Sequence, residues 1–461
     1  MRAVADLSVQ VLERIYASGR TKPRDVVAAI YDRIGSGRPE WIYQRPRVEA
    51  LEACAAVEQR RVSGEPLPLY GIPFGVKDNI DVAGMPTTAA CEAFAYVPER
   101  DARCVEYLLQ AGAICLGKTN LDQFATGLSG VRSPYGACSS VGNSLYVSGG
   151  SSSGSAVAVA LGHVSFALGT DTGGSGRIPA GFNGLVGVKP TVGRLSSRGL
   201  VPNCPIIDCP SIFALTVEDG SRILKITDGF DADDPFSRRA IRSISPPPDA
   251  GPFRFGVLTV EDREWHGMPE CGRLYETAIQ RFVEIGGMPV EIDFAPFLEA
   301  GRMLFDGPWI AERSAALGPI VGDRQDALLD VTRAVLATAQ RYDAAKAFAA
   351  MHRLAHLRLA VWRQLDSLSA LVVPTASRPF TIEEMNADPI RLNNQLGHYS
   401  YFANLLDLCA MAIPNGVLSC GVPMGITLLA PAWNDENLAA LARRFAADRH
   451  KPQRERAAAA G

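Results

Sequence analysis

The sequence predicts an α/β layered fold built on a largely buried sheet, and three observations predict it. Across residues 70–193 glycine and serine are dense, and short apolar runs alternate with small-residue helical stretches. That alternation marks strands packed between helices. Residues 368–373, ahead of Pro374, and 424–429 resemble further buried strands. The composition is that of an ordinary globular chain, with 47% apolar and 21% charged residues, 43 Gly and 31 Pro in 461.

The elements follow in order. Residues 7–34 read as helical, with a Thr21-Lys22-Pro23 start ahead of Val26, Val27, Ile30 and Ile34. Ala113-Ile114-Cys115-Leu116 reads as a strand, and residues 155–163 as a small-residue helix. Pro246-Pro247-Pro248 is the strongest breaker, and a strand restarts over 253–259. Polar and apolar residues at helical spacing predict two long helices across 324–366. No internal repeat is present. We read residues 1–450 as one domain, helical over about its first 65 residues, followed by a charged, then Ala-rich tail at 451–461, expected to be disordered.

Charge and cysteine usage exclude several classes. With 46 Lys plus Arg against 49 Asp plus Glu, the net charge is −3, without the basic footprint of nucleic-acid or anionic-membrane binding. No apolar window is long enough to span a bilayer, since Gly162, His163 and Ser165 break the longest one. Asp6 interrupts the N-terminus before an apolar core of a signal peptide forms. The ten cysteines are scattered without a Cys-x-x-Cys, which predicts reduced thiols and a cytoplasmic protein. Cys204 and Cys209 lack the partners of a metal site, and His352 and His356 lack the Glu of a zincin helix. We therefore expect neither a metal nor a cofactor.

The chemistry concentrates in two glycine-serine segments. The first, Ser148-Gly149-Gly150-Ser151-Ser152-Ser153-Gly154-Ser155, is a helix-capping loop or a phosphate loop on its pattern alone. The phosphate reading fails for want of a Lys after Gly154. The second runs Gly169-Thr170-Asp171-Thr172-Gly173-Gly174-Ser175-Gly176-Arg177. Glycines on both sides of Ser175 let backbone N–H groups converge beside its hydroxyl, as an oxyanion hole requires. The hydrolase elbow G-x-S-x-G does not fit, because Arg177 stands in its last position. A serine nucleophile needs a base, and among six histidines only His163 lies nearby. Lys77, following the apolar run Gly71-Ile72-Pro73-Phe74-Gly75-Val76, can serve if burial holds it neutral. Its competing reading is a surface residue paired with Asp78.

These segments together, continuing to Gly187-Val188-Lys189-Pro190-Thr191, resemble the amidase signature family over almost the whole chain. The resemblance implies a large mixed β-sheet covered by helices on both faces, and a Ser-cisSer-Lys triad. Ser175 would be the nucleophile, and Ser151, preceded by a cis peptide, would relay its proton to Lys77. Backbone N–H groups from Thr172, Gly173 and Gly174 to Ser175 would form the oxyanion hole, and Arg177 would be structural.

Within that family the chain is similar to the amidase part of allophanate hydrolases. The similar stretches are Asn120-Leu121-Asp122-Gln123-Phe124-Ala125-Thr126-Gly127-Leu128, Arg132-Ser133-Pro134-Tyr135-Gly136 and Gly307-Pro308-Trp309-Ile310-Ala311-Glu312-Arg313. The resemblance implies that Arg313 grips the small substrate, with Gly127 giving a backbone contact. A helix-surface ion pair with Glu312 is the competing reading of Arg313. The family's tyrosine is Phe305 here, and Asp306 beside it offers an anion to an amidine such as that of guanylurea, or is simply exposed. The implied substrate is a small urea-type amide: allophanate, guanylurea or biuret. A homodimer is implied as well. Two other readings stay open, a glutamine-hydrolysing subunit of a tRNA-dependent amidotransferase and an inactive binding homologue.

Overall fold

The strands are β1 (Trp41–Gln44), β2 (Pro73–Lys77), β3 (Ile114–Thr119), β4 (Ser139–Ser140), β5 (Asn143–Val147), β6 (Phe166–Thr170), β7 (Val186–Lys189), β8 (Pro210–Ala214), β9 (Phe253–Leu258), β10 (Gly287–Ile292), β11 (Ala370–Pro374), β12 (Leu408–Val417) and β13 (Pro423–Pro431). A computed structural model describes residues 6–35, 39–240 and 251–449. Eleven of these strands form one mixed sheet in the order β1-β3-β2-β6-β8-β7-β12-β13-β11-β9-β10, and β4 pairs with β5. The α/β class is as the sequence predicts. Strands β2, β3, β6, β8 and β11 are buried at every residue, which explains their continuous apolar runs. The edge strand β10 is half exposed and tolerates Pro289, whose missing N–H an edge can accommodate.

Several expectations need correction. Residues 7–34 form two helices, Val9–Ala17 and Pro23–Arg33, separated by a turn in which Gly19 adopts φ +70°. Pro23 opens the second, and Asp25 accepts the Lys22 N–H at 2.8 Å. The 324–366 segment holds one long helix, Ala344–Leu365, and a short one, Asp330–Ala337. Asp343 starts the long one afresh by accepting the Lys346 N–H at 2.8 Å. The ten-residue strand β12, for which the sequence predicts no element, carries a bulge against β13 between Pro414 and Gly416. Pro246-Pro247-Pro248 and the 451–461 tail lie outside the described residues. Among the described residues, no helix is long and apolar enough to cross a membrane.

The topology of two neighbouring strands positions the chemistry. Strands β2 and β6 are parallel neighbours with Val76 opposite Leu168, so Lys77 and Thr170 end side by side. Crevices outside the carboxyl ends of parallel strands are where open α/β sheets hold ligands. The helix Ser153–Ala160 packs across β2, β3, β6 and β8, bringing its leading serines to that same edge.

Candidate active site

Lys77 ends β2 with no exposed surface. Its Nζ donates to Ser151 Oγ at 2.7 Å and to Thr170 Oγ1 at 2.7 Å. Burial pushes its pKa from 10.5 down to about 7, against the opposing pull of Asp122, Asp208 and Asp171. The pairing with Asp78 does not occur. Successive strand residues face opposite sides, and Asp78 Oδ1 meets the buried Lys118 Nζ at 3.0 Å. The Gly150–Ser151 peptide is cis. A Cβ on Gly150 would lie 2.3 Å from Asp122 Oδ2, so glycine is required where this carboxylate approaches.

Ser175 is 4% exposed, and its hydroxyl donates to the Gly127 carbonyl at 3.5 Å. No hydrogen bond joins Ser175 Oγ to Ser151 among the described residues, although the Ser152 N–H reaches the Ser175 carbonyl at 3.4 Å. The 172–176 turn is braced by the buried Asp171. That carboxylate accepts the N–H groups of Gly174 at 2.8 Å and Gly176 at 3.0 Å, and a bidentate pair from Arg177 at 2.9 and 2.8 Å. Burial, which alone would raise the Asp171 pKa, is outweighed by Arg177, Lys189 and these bonds, and the carboxyl stays below its ordinary range. Arg177 is thus a structural brace. Gly174 is the exception among the expected oxyanion donors, because its N–H turns onto Asp171. The N–H groups of Thr172, Gly173 and Ser175 have no hydrogen-bond acceptor among the described residues. Gly174 itself sits at φ +133°, where a Cβ would meet Ser400 Oγ at 2.3 Å.

Arg313 is 1% exposed on the helix Trp309–Val321. Its Nε donates to Asn203 Oδ1 at 3.0 Å, while Nη1 is buried without a hydrogen-bond partner among the described residues. The alternative pairing with Glu312 is not made: that carboxylate accepts the Ile206 N–H at 2.9 Å. Phe305 lies under the Arg313 guanidinium at 4.8 Å and against the Tyr401 ring at 4.3 Å. Asp306 is exposed beside a cavity of about 500 Å³ that Phe305 and Tyr401 also line. A Cβ on Gly173 would meet Tyr401 Cδ1 at 3.0 Å and Leu304 Cδ2 at 2.6 Å, so this aromatic wall abuts the Ser175 turn.

Sequence reasoning missed Asp208, Asn203 and Tyr401. Tyr401 and Asn393 exchange two hydrogen bonds at 2.9 and 3.0 Å, and Asn393 Oδ1 takes the Leu128 N–H at 2.8 Å, beside Gly127. No local signal marks these residues. Thr170 and Asp171, by contrast, lie inside the quoted segment and were legible only as spacing. His163 meets Glu40 at 3.3 Å, outside the Lys77 cluster. Cys204 and Cys209 are buried, and burial pushes the Cys209 thiol up to about 12.

A buried amine between hydroxyls, a glycine-flanked serine and N–H groups without acceptors among the described residues are the parts that a serine hydrolase without histidine would need. The chain belongs to the Amidase family, whose model matches residues 25–439, and is by class a hydrolase of carbon–nitrogen amide bonds. It is similar to urea amidolyase of Saccharomyces cerevisiae, with 42% identity over 388 residues, 84% of this chain and 21% of that protein. It is also similar to a glutamyl-tRNA(Gln) amidotransferase subunit of Methylacidiphilum infernorum, with 31% identity over 95% of this chain and 93% of that protein. The solved allophanate hydrolase of Kluyveromyces lactis superposes with a TM-score of 0.87 at 38% identity, covering 95% of this chain and 72% of that one. The chain thus spans about a fifth of the length of the urea amidolyases it matches.

Proposed function

We propose that this chain cleaves the C–N amide bond of a small urea-type compound, allophanate or a close analogue such as guanylurea, releasing ammonia through an acyl-enzyme. The observation that carries the reading is Lys77, sealed from water between two hydroxyls with its pKa near 7. A neutral amine accepts the Ser151 proton as Ser151 takes the proton of Ser175, whose Oγ turns from Gly127 and attacks the carbonyl. The N–H groups of Thr172, Gly173 and Ser175 receive the oxyanion. Collapse returns the proton through Ser151 to the leaving nitrogen, ammonia departs, and water releases the acyl group by the reverse route. The unpartnered Arg313 Nη1 supports a carboxylate on the substrate, since a guanidinium edge matches a planar anion. The reading includes residues 1–450 as one catalytic domain and a cytoplasmic homodimer. The dimer rests on the family resemblance, and the compartment on ten unpaired thiols.

One observation favours a second reading. The chain is collinear with nearly all of the glutamyl-tRNA(Gln) amidotransferase polypeptide it matches, and Arg313 could equally seat the α-carboxylate of glutamine. Ammonia release from allophanate, guanylurea, biuret, malonamate and glutamine separates the two. Turnover of a urea-type amide is expected; turnover of glutamine alone would overturn the proposal. Ser175→Ala should abolish activity, and full activity in that variant would remove the mechanism.

A further inference from the structure

The carboxylate of Asp208 belongs to neither the triad nor the oxyanion donors, yet it joins the two halves of the site. Asp208 Oδ1 accepts the hydroxyl of Thr172, the first residue of the oxyanion turn, at 2.5 Å. Its Oδ2 accepts the backbone N–H groups of Asn203 at 2.7 Å and Cys204 at 2.9 Å. Asn203 in turn receives Arg313 Nε on Oδ1, and anchors its own amide on Phe124 O at 2.9 Å. Thr172, Asp208, Asn203 and Arg313 are 4%, 7%, 2% and 1% exposed, so water does not replace any link. Asn404 ties the same two segments a second time, donating to Asp171 O at 2.7 Å and Ile207 O at 2.8 Å.

We propose that Asp208 is a positioning residue that couples the anion seat on Arg313 to the oxyanion turn at Thr172. The proposal rests on the reading of Arg313 as the seat of a substrate carboxylate. When an anion engages Arg313 Nη1, the guanidinium is fixed against Asn203, which holds the 203–208 loop. Asp208 transmits that restraint to Thr172, so the substrate that is held correctly is also the one that meets an aligned oxyanion donor. A buried network of this kind passes small displacements because its side chains have no solvent to relax into. Asp208 also faces Lys77 electrostatically, together with Asp122 and Asp171, all three favouring the charged amine.

The test is a double-mutant cycle on ammonia release from a carboxylate-bearing urea-type amide. Asp208→Asn should lower kcat about tenfold with KM nearly unchanged, as expected for a misaligned oxyanion donor, whereas Arg313→Gln should act mainly on KM. The double variant should depart from the product of the singles by about fivefold, the coupling of residues in one hydrogen-bond network. Thr172→Val should reproduce the kcat loss, and Thr172→Ser, which keeps the hydroxyl, should restore most of it. The acid limb of the pH profile of Asp208→Asn should move to lower pH, because one anion favouring charged Lys77 is gone, whereas Thr172→Val, which keeps that anion, should lower kcat without moving the limb. Additivity of Asp208→Asn with Arg313→Gln to within about twofold overturns the coupling. Labelling of Ser175 by a sulfonyl fluoride, whose oxygens occupy the oxyanion site, reads the Thr172 end without any amide substrate. If no carboxylate-bearing amide is turned over but Asp208→Asn and Thr172→Val slow labelling equally, the proposed substrate falls and the Asp208–Thr172 link stands. Unchanged labelling in a folded Asp208→Asn, checked by its melting temperature, overturns that link as well.

Discussion

Replacing Lys77 by methionine separates the two consequences of burying an amine: lost catalysis and gained stability. The fall in pKa from 10.5 to about 7 corresponds to about 5 kcal/mol of preference for the neutral amine. Between those values the unfolded chain binds more protons than the folded one, so folding is increasingly favoured as pH rises through this window. The penalty is full below pH 7 and vanishes above the unfolded value. For that pair of pKa values it is larger by about 3 kcal/mol at pH 6 than at pH 9.5. Methionine fills nearly the same volume and never charges. It also forfeits the bonds to Ser151 and Thr170, about 1 kcal/mol each, but that loss is nearly independent of pH. Lys77→Met should therefore gain about 3 kcal/mol relative to wild type at pH 6 compared with pH 9.5, read from urea unfolding followed by tryptophan fluorescence. Ammonia release should fall to background, while wild-type kcat/KM climbs with unit slope below about pH 7. A stability difference equal at the two pH values, or an activity limb centred near pH 10, would show that Lys77 stays charged in the folded protein.

The other predictions concern the walls of the site. Phe305→Tyr adds a hydroxyl beside Arg313 and Tyr401 and should raise the ratio of kcat/KM for allophanate over guanylurea by about tenfold; an unchanged ratio would show that position 305 does not touch substrate. Gly174→Ala forces a side chain into Ser400 at a positive φ, and should lower stability by about 2 kcal/mol or more together with kcat, measured by denaturation and turnover. Arg177→Met leaves the buried Asp171 without its cation and should destabilise by about 3–5 kcal/mol. Because the folded Asp171 pKa is depressed, its paired contribution to wild-type stability is present at neutral pH and lost on acidification, so the gap between the proteins should narrow in acid.

The sheet and the two glycine-serine segments were legible because each has a local signature. A fully buried strand such as β11 is an apolar run, and the Ser151 and Ser175 segments are dense in glycines that relieve specific close approaches. Lys77 was legible as a candidate base only by elimination of histidine, and its lowered pKa follows from burial that the preceding apolar run already implied. What the sequence hid is long-range. Asp208 is 36 residues from Thr172, Asn203 is 110 from Arg313, and neither pair carries a periodicity or turn signal. Glu312 misled for the opposite reason, being adjacent to Arg313 in sequence but turned to Ile206 by the helix. Likewise the family resemblance counted Gly174 among the oxyanion donors, whereas Asp171 captures its N–H; only geometry distinguishes a glycine that frees a donor from one that permits a brace.

Within the proposed function, the choice between allophanate and guanylurea reduces to which charge the residues around Arg313 make costly. Arg313 is buried with Nη1 unpartnered, whereas Asp306 is exposed. At an effective dielectric of about 20, a like charge about 4 Å from the guanidinium costs about 4 kcal/mol, while attraction to an exposed carboxylate in water returns about 1 kcal/mol, less in salt. A cationic amidine held where a carboxylate would sit is therefore disfavoured, and Phe305 offers that end of the substrate only a ring face. Cation–π attraction to Phe305 does not reverse the balance, because Arg313 already occupies that face at 4.8 Å. Guanylurea could compete only by turning its amidine away from Arg313 toward the side of Asp306, which leaves the buried Nη1 unpaired in the complex. An anionic substrate would satisfy that donor directly, so in the proposed function the unpaired donor, more than the missing tyrosine hydroxyl, favours allophanate.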